Sequence, residues 1–275
     1  MIKRILVGLG GTPYTAVAVK RAVELAQIHE AIVTGVTILD MNRLQKVGPV
    51  PLGGAAYANK LVQNRIDVTR GCVAESVAYF EKACSDAGLT YSTIQETGDP
   101  FDQMISHVRY HDLTLFGVKS LFDCGITLEP KDALVRLVSQ GVRPILAVSP
   151  QYREVRKALI AYSGSMESAK AMRRFIQMRL WPDLRITLAH FSKDIGKGEA
   201  LLQDAARYCR AHGHETDTLM VEGDAKTGVL AQAQSSGADI IVMGNGSRKL
   251  MLRQFLGDTV LTTIENADRP LFLSQ

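Results

Sequence analysis

The chain repeats itself once, and that repeat constrains the fold more than any other feature. ILVGLGGTPYTAVAVKRAVELA, from Ile5, resembles ALIAYSGSMESAKAMRRFIQMR, from Ala158, at an offset of 153 residues. Glu96-Thr97-Gly98-Asp99 resembles Val221-Glu222-Gly223-Asp224 at an offset of 125. DALVRLVSQGVRPILAVS, from Asp132, resembles DTVLTTIENADRPLFLSQ, from Asp258, at an offset of 126. The matches keep their order, so each half holds one copy of the same unit. The fall in offset places about 28 additional residues in the middle of the first copy. The join falls near Ser149-Pro150-Gln151-Tyr152, giving units 1–150 and 151–275.

Each copy alternates strands with helices. In the first, residues 2–9 form a continuous apolar run with β-branched members, as a strand buried on both faces requires. Thr12-Pro13 supplies a helix N-cap and first helical position. Further strands are expected at 31–38, 90–95, 113–118 and 144–148. Helices are expected at 58–87, after Gly98-Asp99-Pro100 as far as Tyr110, and at 131–140. The second copy repeats the pattern, with strands near 157–162, 184–191, 215–221, 239–243 and 270–274. Parallel crossovers need helices, so the pattern predicts an α/β fold with parallel sheets covered on both faces.

Composition narrows the function classes. Residues 1–150 hold 15 basic and 14 acidic residues, and 151–275 hold 17 and 14. Neither half is a basic module, so no nucleic-acid partner is expected. No apolar run approaches the ~18 residues of a membrane span, so no membrane partner is expected either. MIKRILVGLGGT begins like a signal peptide. Its apolar part breaks at Gly8, Gly10 and Gly11, so it reads better as a strand and glycine turn. Cys72, Cys84, Cys124 and Cys209 form no CxxC pair and read as plain thiols of a reducing cytoplasm. His212-Gly213-His214 follows a helical pattern and reads as a helix C-cap rather than a metal site, and no metal is expected.

The additional residues of the first copy lie in LDMNRLQKVGPVPLGGAAYANK, with the irregular stretch at 40–58. Its prolines and paired glycines argue against regular structure. It follows the second strand and so emerges at the carboxyl edge of the sheet, where open α/β sheets bind ligands. There it serves as a lid or a partner contact, or is an insertion without a role.

The strongest local signal is IIVMGNGSRKLMLRQFLGDTV. A buried strand ends at Met243, Gly244-Asn245-Gly246-Ser247 forms a small-residue turn, and Gly257-Asp258-Thr259 opens the last helix. Glycine lets a backbone approach an anion, and free N–H groups with the helix dipole favour negative charge. Arg248, Lys249 and Arg253 add nearby positive charge, or form a solvated helix face.

With these motifs the chain resembles two universal stress protein domains fused in tandem. The resemblance spans both halves, including Arg143-Pro144-Ile145-Leu146 and Arg269-Pro270-Leu271-Phe272. It implies two Rossmann-like α/β sandwiches, each with a five-stranded, mainly parallel sheet, related by an internal pseudo-twofold. It also implies that 145–149 and 271–274 pair antiparallel within the chain, as the last strands of family dimers do. The pairing hides apolar edges that would otherwise invite aggregation, and a further homodimer is compatible with it.

The ATP-binding members of that family carry Gly, two residues, Gly, nine residues, Gly, then Ser or Thr. Here the run reads Gly244, two residues, Ser247, nine residues, Gly257, Asp258. Asp258 brings a carboxylate to a phosphate site and repels the anion unless magnesium, another cation or Thr259 offsets it. The family's Asp-Gly-Ser turn after the first strand stands here as Ser163-Gly164-Ser165, and as Gly10-Gly11-Thr12 in the first half, both without the aspartate. The first half's phosphate loop, from Gly117-Val118-Lys119-Ser120, is unrecognisable. The resemblance thus implies one site, in the second half. It would bind ATP with magnesium, or another adenine nucleotide, through Ala161, Tyr162, Ser163, Gly164, Ser165, His190, Phe191, Met243, Gly244, Asn245, Gly246, Ser247, Arg248, Gly257, Asp258 and Thr259. The function implied is a cytoplasmic, regulatory stress-response protein.

Three other readings stand beside this one. The altered motif residues suit a scaffold of the same fold that binds a protein partner and no nucleotide. Ser163-Gly164-Ser165-Met166-Glu167-Ser168 resembles the SGGxDS loop of ATP pyrophosphatases, without their further machinery. Gly8-Leu9-Gly10-Gly11-Thr12-Pro13 partly matches a dinucleotide fingerprint, with Pro13 where the third glycine belongs. No catalytic constellation is present, so at most weak ATP hydrolysis is expected.

Overall fold

The structure is a computed structural model, and it describes residues 2–11, 13–50, 53–117, 144–192, 194–244 and 257–274. In the first half the chain runs β1 (Arg4–Gly8), α1 (Pro13–His29), β2 (Ile32–Leu39), α2 (Met41–Leu44), α3 (Ala55–Asp86), β3 (Tyr91–Thr97), α4 (Pro100–Val108), β4 (Leu113–Gly117) and β5 (Ile145–Val148). The second half runs β6 (Lys157–Ala161), α5 (Met166–Met178), β7 (Arg185–Ser192), α6 (Ile195–Ala211), β8 (Thr216–Glu222), α7 (Ala225–Ser235), β9 (Ile240–Gly244), α8 (Asp258–Asn266) and β10 (Leu271–Ser274). The helix expected at 131–140 lies outside the described residues.

The strands form one ten-stranded sheet in the order β3-β2-β1-β4-β5-β10-β9-β6-β7-β8. All pairings are parallel except the central one, where β5 and β10 run antiparallel. There Leu146 pairs with Phe272. These two residues occupy the same place in the two copies, so the pseudo-twofold passes between them. The pairing also removes the apolar edge that each half-sheet would otherwise expose. The outer strands β3 and β8 are half-exposed and polar, which blunts the edges that remain.

The register repeats the sequence offsets. Gly8 pairs with Val36, and Ala161 with Ala189, both 153 residues on. Thr37 pairs with Gln95 and His190 with Met220. A further repeat emerges at the amino edge. Asp112 accepts the backbone N–H groups of Lys3 and Arg4 at 2.8 and 3.0 Å, and Asp239 accepts those of Arg156 and Lys157 at 2.9 Å each.

Two apolar layers run across both halves. One lies under α1, α3, α5 and α6 and the other under α4, α7 and α8. In the first layer the Phe175 and Phe272 rings meet edge-on, 5.0 Å apart, close to the central pairing. At the rim of that layer, Glu24 of α1 gathers the second half to the first. Its Oε1 accepts Trp181 Nε1–H at 2.8 Å, and its Oε2 accepts the Tyr152 hydroxyl at 2.9 Å and Arg21 Nη1. Arg21 is fully buried and also donates to the Arg153 carbonyl. His29 Nε2 donates to the Leu180 carbonyl at 3.1 Å.

The Arg-Pro pair before the last strand acquires a physical reason. Buried Arg269 donates through Nη1 to the carbonyls of Ala233 and Ala238, both at 2.7 Å, closing the exit of α7. Its remaining N–H groups bind the Asp268 carboxylate and hold that carboxyl below its ordinary pKa.

The additional residues of the first copy correct one expectation. The stretch 40–58 is not wholly irregular. Asp40 caps α2 by accepting Arg43 N–H at 3.0 Å, and α3 starts at Ala55. The connections after α3 and α6 are equally long, so the extra length lies before and within α3. That helix has 32 residues against 17 in α6.

Candidate functional site

The residues expected at the second half's site gather at the carboxyl edge of its sheet. β6 lies between β7 and β9, so Ala161 is flanked by Ala189 and Met243. The chain leaves β6 through Tyr162 and turns at Gly164, whose φ of 74° lies in the region glycine favours. Ser165 then caps α5, accepting the Ser168 N–H at 3.2 Å. The hydroxyls of Ser163, Ser165 and Ser168 lie within 3.0–3.3 Å of one another, and Ser168 Oγ donates to the Ser165 carbonyl at 2.9 Å. Ser168 is buried and completes this cluster, although it falls outside the residues assigned from the universal stress protein pattern. Its place in Ser163-Gly164-Ser165-Met166-Glu167-Ser168 is the sequence signal for it.

Gly244 ends β9 against the first turn of α5. A Cβ there would sit 2.5 Å from the Glu167 carbonyl oxygen and 2.7 Å from Ser168 N, a collision with backbone. The glycine therefore brings the end of β9 and the turn after β6 into direct contact. Gly257 stands as the N-cap of α8, exposed Asp258 occupies its first turn, and Thr259 accepts Thr263 Oγ1–H at its carbonyl. A carboxylate is favourable at a helix amino end and unfavourable beside an anion. Asn245, Gly246, Ser247 and Arg248 lie outside the described residues, as do Lys249 and Arg253.

His190 and Phe191 do not act together. Adjacent strand residues face opposite sides of a sheet. His190 sits under α6, with its Cδ2 and Met220 so near Gly198 that a Cβ on that glycine would lie 2.8 Å from the ring. Its Nδ1 donates to the Tyr162 carbonyl at 2.8 Å, which leaves Nε2 an acceptor in the neutral ring. Phe191 packs on the other face, with its ring against Gly228 of α7. Tyr162 is half-buried on the His190 side. Burial, then the charge of Asp204, pushes its phenol pKa up, so it stays protonated. Gly198 and Met220 were not legible as site neighbours, because only the register brings them to His190.

The sequence model of the universal stress protein family matches residues 1–115 and 194–274, well over half of the chain. The chain belongs to the universal stress protein family. Both matched segments fall on the repeated units, so the tandem arrangement and the Rossmann-like α/β fold follow. A universal stress protein from Archaeoglobus fulgidus DSM 4304 superposes with a TM-score of 0.67 at 16% identity, over 100% of this chain and 96% of that chain. One from Pseudomonas aeruginosa UCBPP-PA14 gives 0.60 at 18% identity, over 99% and 92%. At such identities the likeness is one of fold. A universal stress protein solved in complex with cAMP gives 0.39 at 16% identity, over 45% of this chain and 98% of that chain, and so spans one half only. No curated protein matches the chain. Among the described residues, no helix is long and apolar enough to cross a membrane.

Proposed function

We propose that this universal stress protein is a cytoplasmic stress-response regulator whose second unit, 151–275, binds ATP with magnesium or another adenine nucleotide. The observation that carries this reading is the contact of Gly244 with the amino end of α5. It sets the carboxyl end of β9 beside the hydroxyl turn after β6, at the positive end of a helix dipole. Ser163 and Ser165 offer hydroxyls there, and Gly257–Thr259 bring a second helix amino end to the same edge. Asp258 opposes phosphate, so magnesium or a neighbouring cation belongs to the proposal. No residue is assigned as a catalytic base, and the role is binding rather than turnover.

Calorimetric titration of the full chain with ATP and magnesium tests the reading. Saturable heat below millimolar nucleotide, or an adenine nucleotide carried through purification, is expected. No heat at millimolar nucleotide together with no co-purified nucleotide overturns it. The first unit, 1–150, supports a different role, contact with protein. Among the described residues, eight of the nine large exposed hydrophobic side chains lie there, and only Met166 lies in the second.

A further inference from the structure

Three of those eight side chains stand on one helix. Tyr57, Val68 and Tyr79 of α3 are 76%, 58% and 48% exposed. They are spaced eleven residues apart, which is three helical turns to within about 20°. They therefore form one line down the outer face, roughly 33 Å long. The opposite face holds Ile66, Val73, Val77, Phe80 and Cys84, all buried. Half-buried Leu61 and exposed Gly71 adjoin the line, and a Cβ on Gly71 would meet nothing within 4 Å. Among the described residues, the counterpart helix α6 has no such line. The position matching Tyr79 is Asp204, which is ion-paired to Arg207 on the surface.

We propose that this outer face of α3 is where a second copy of the chain packs, with the two α3 helices antiparallel about a twofold axis at Val68. The stripe is symmetrical about its own midpoint, as an isologous interface requires and as an unrelated partner does not. In this arrangement Val68 meets the partner's Val68, and Tyr57 at each end meets the partner's Tyr79. Gly71 lets the helices approach closely near the axis. The charges agree with the same register. Lys60 and Glu75 are both exposed, and Lys60 comes level with the partner's Glu75 to within about one residue rise of 1.5 Å. The two lie on the same side of the interface, giving two reciprocal ion pairs. A parallel arrangement would instead set Lys60 beside the partner's Lys60.

Sedimentation velocity of the full chain, from low micromolar to near-millimolar concentration, tests this. The expected result is a reversible dimer, and Val68→Asp raises its dissociation constant at least ~10-fold. Lys60→Glu and Glu75→Lys should each weaken the dimer, and the double exchange should restore it. The exchange also decides the matter if Val68→Asp fails to fold, because both charged positions are on the surface. A monomer at every concentration overturns the proposal. So does a dimer that Val68→Asp leaves intact, or a double exchange no stronger than its single parents. None of these outcomes touches nucleotide binding, which is read separately by calorimetry.

Discussion

The carboxyl edges of the two halves share one backbone plan and differ in what fills it. In the second half the turn after the first strand carries Ser163 and Ser165, with half-buried Tyr162 beneath it. In the first half Leu9 matches Tyr162, Gly10 matches Ser163, Gly11 matches Gly164 and Thr12 matches Ser165. Leu9 is fully buried, and Gly11 keeps the same positive φ, at 68°. Gly8 stands where the second half has Ala161, and the Phe116 ring stands where it has Met243. That ring fills the space a Cβ on Gly8 would need, at 2.5 Å. Cys72 of α3 donates to the Gly11 carbonyl at 3.5 Å, and Leu44 of α2 is buried. The first half has lost the hydroxyl of Ser163, where Gly10 stands, keeps a hydroxyl residue, Thr12, at the place of Ser165, and carries its additional residues after β2. The second has kept the edge polar and its helix short. On the proposed reading one copy serves contact and the other a small ligand, on a common register.

The largest expected effect tests whether the halves depend on each other. Glu24 accepts three donors, two of them from beyond the first half's own helices, and lies against the fully buried Arg21. Glu24→Ala strands that guanidinium and should cost about 3 kcal/mol. Urea denaturation should then show a lower midpoint, or two transitions where the parent shows one. An unchanged single transition would mean that the two cores, not this cluster, couple the halves.

A smaller effect is expected where the edges themselves differ. Gly244→Ala drives a Cβ into the Glu167 carbonyl and should cost about 2 kcal/mol by overpacking. Thermal unfolding and nucleotide titration on the same variant would show both stability and binding falling. Asp258→Thr restores the hydroxyl of the family pattern and removes the repelling carboxylate. It should tighten ATP about tenfold, or ~1.4 kcal/mol. The first half should gain nothing from either change. Weaker ATP binding by Asp258→Thr would mean that the carboxylate holds the magnesium.

Much of this architecture was legible in the sequence. The repeat predicted where the strands of each half fall along the chain, because buried apolar runs and glycine turns recur at fixed offsets. Each described strand falls within two residues of its expected bounds at either end. The pairing of 145–149 with 271–274 followed from the family resemblance together with the physics of open apolar edges. The long α3 was foreseen, but not α2, since the prolines and glycines of 48–54 masked a short helix capped by Asp40. The site was less legible. Period-two alternation separates His190 from Phe191, yet their adjacency in sequence suggested a pair. Gly198 and Met220 reach His190 only through the packing of α6 on β7 and β8, which no local pattern encodes. Ser168 was visible within its motif, but its partnership with Ser163 depends on how the turn closes.

The smallest expected effect separates the halves by pH. His29 and His111 in the first half and His214 in the second are pushed below the ordinary histidine pKa, chiefly by burial. A group that stays neutral when folded but protonates when unfolded favours the unfolded chain in acid. The contribution is therefore fully present above the unfolded value of about 6.5, and it is lost as pH falls from there toward the lower folded value. His111 already holds the His107 carbonyl through Nδ1 at 2.7 Å, and its Nε2 is buried without a partner. Protonation there would add an N–H with nowhere to donate. Urea midpoints measured from pH 7.5 down to 5 should fall, and His111→Gln should flatten that slope more than it lowers the midpoint at neutral pH. If the slope is unchanged, the acid sensitivity belongs to His29 at the junction, and the second half, through His214, would unfold in step with the first.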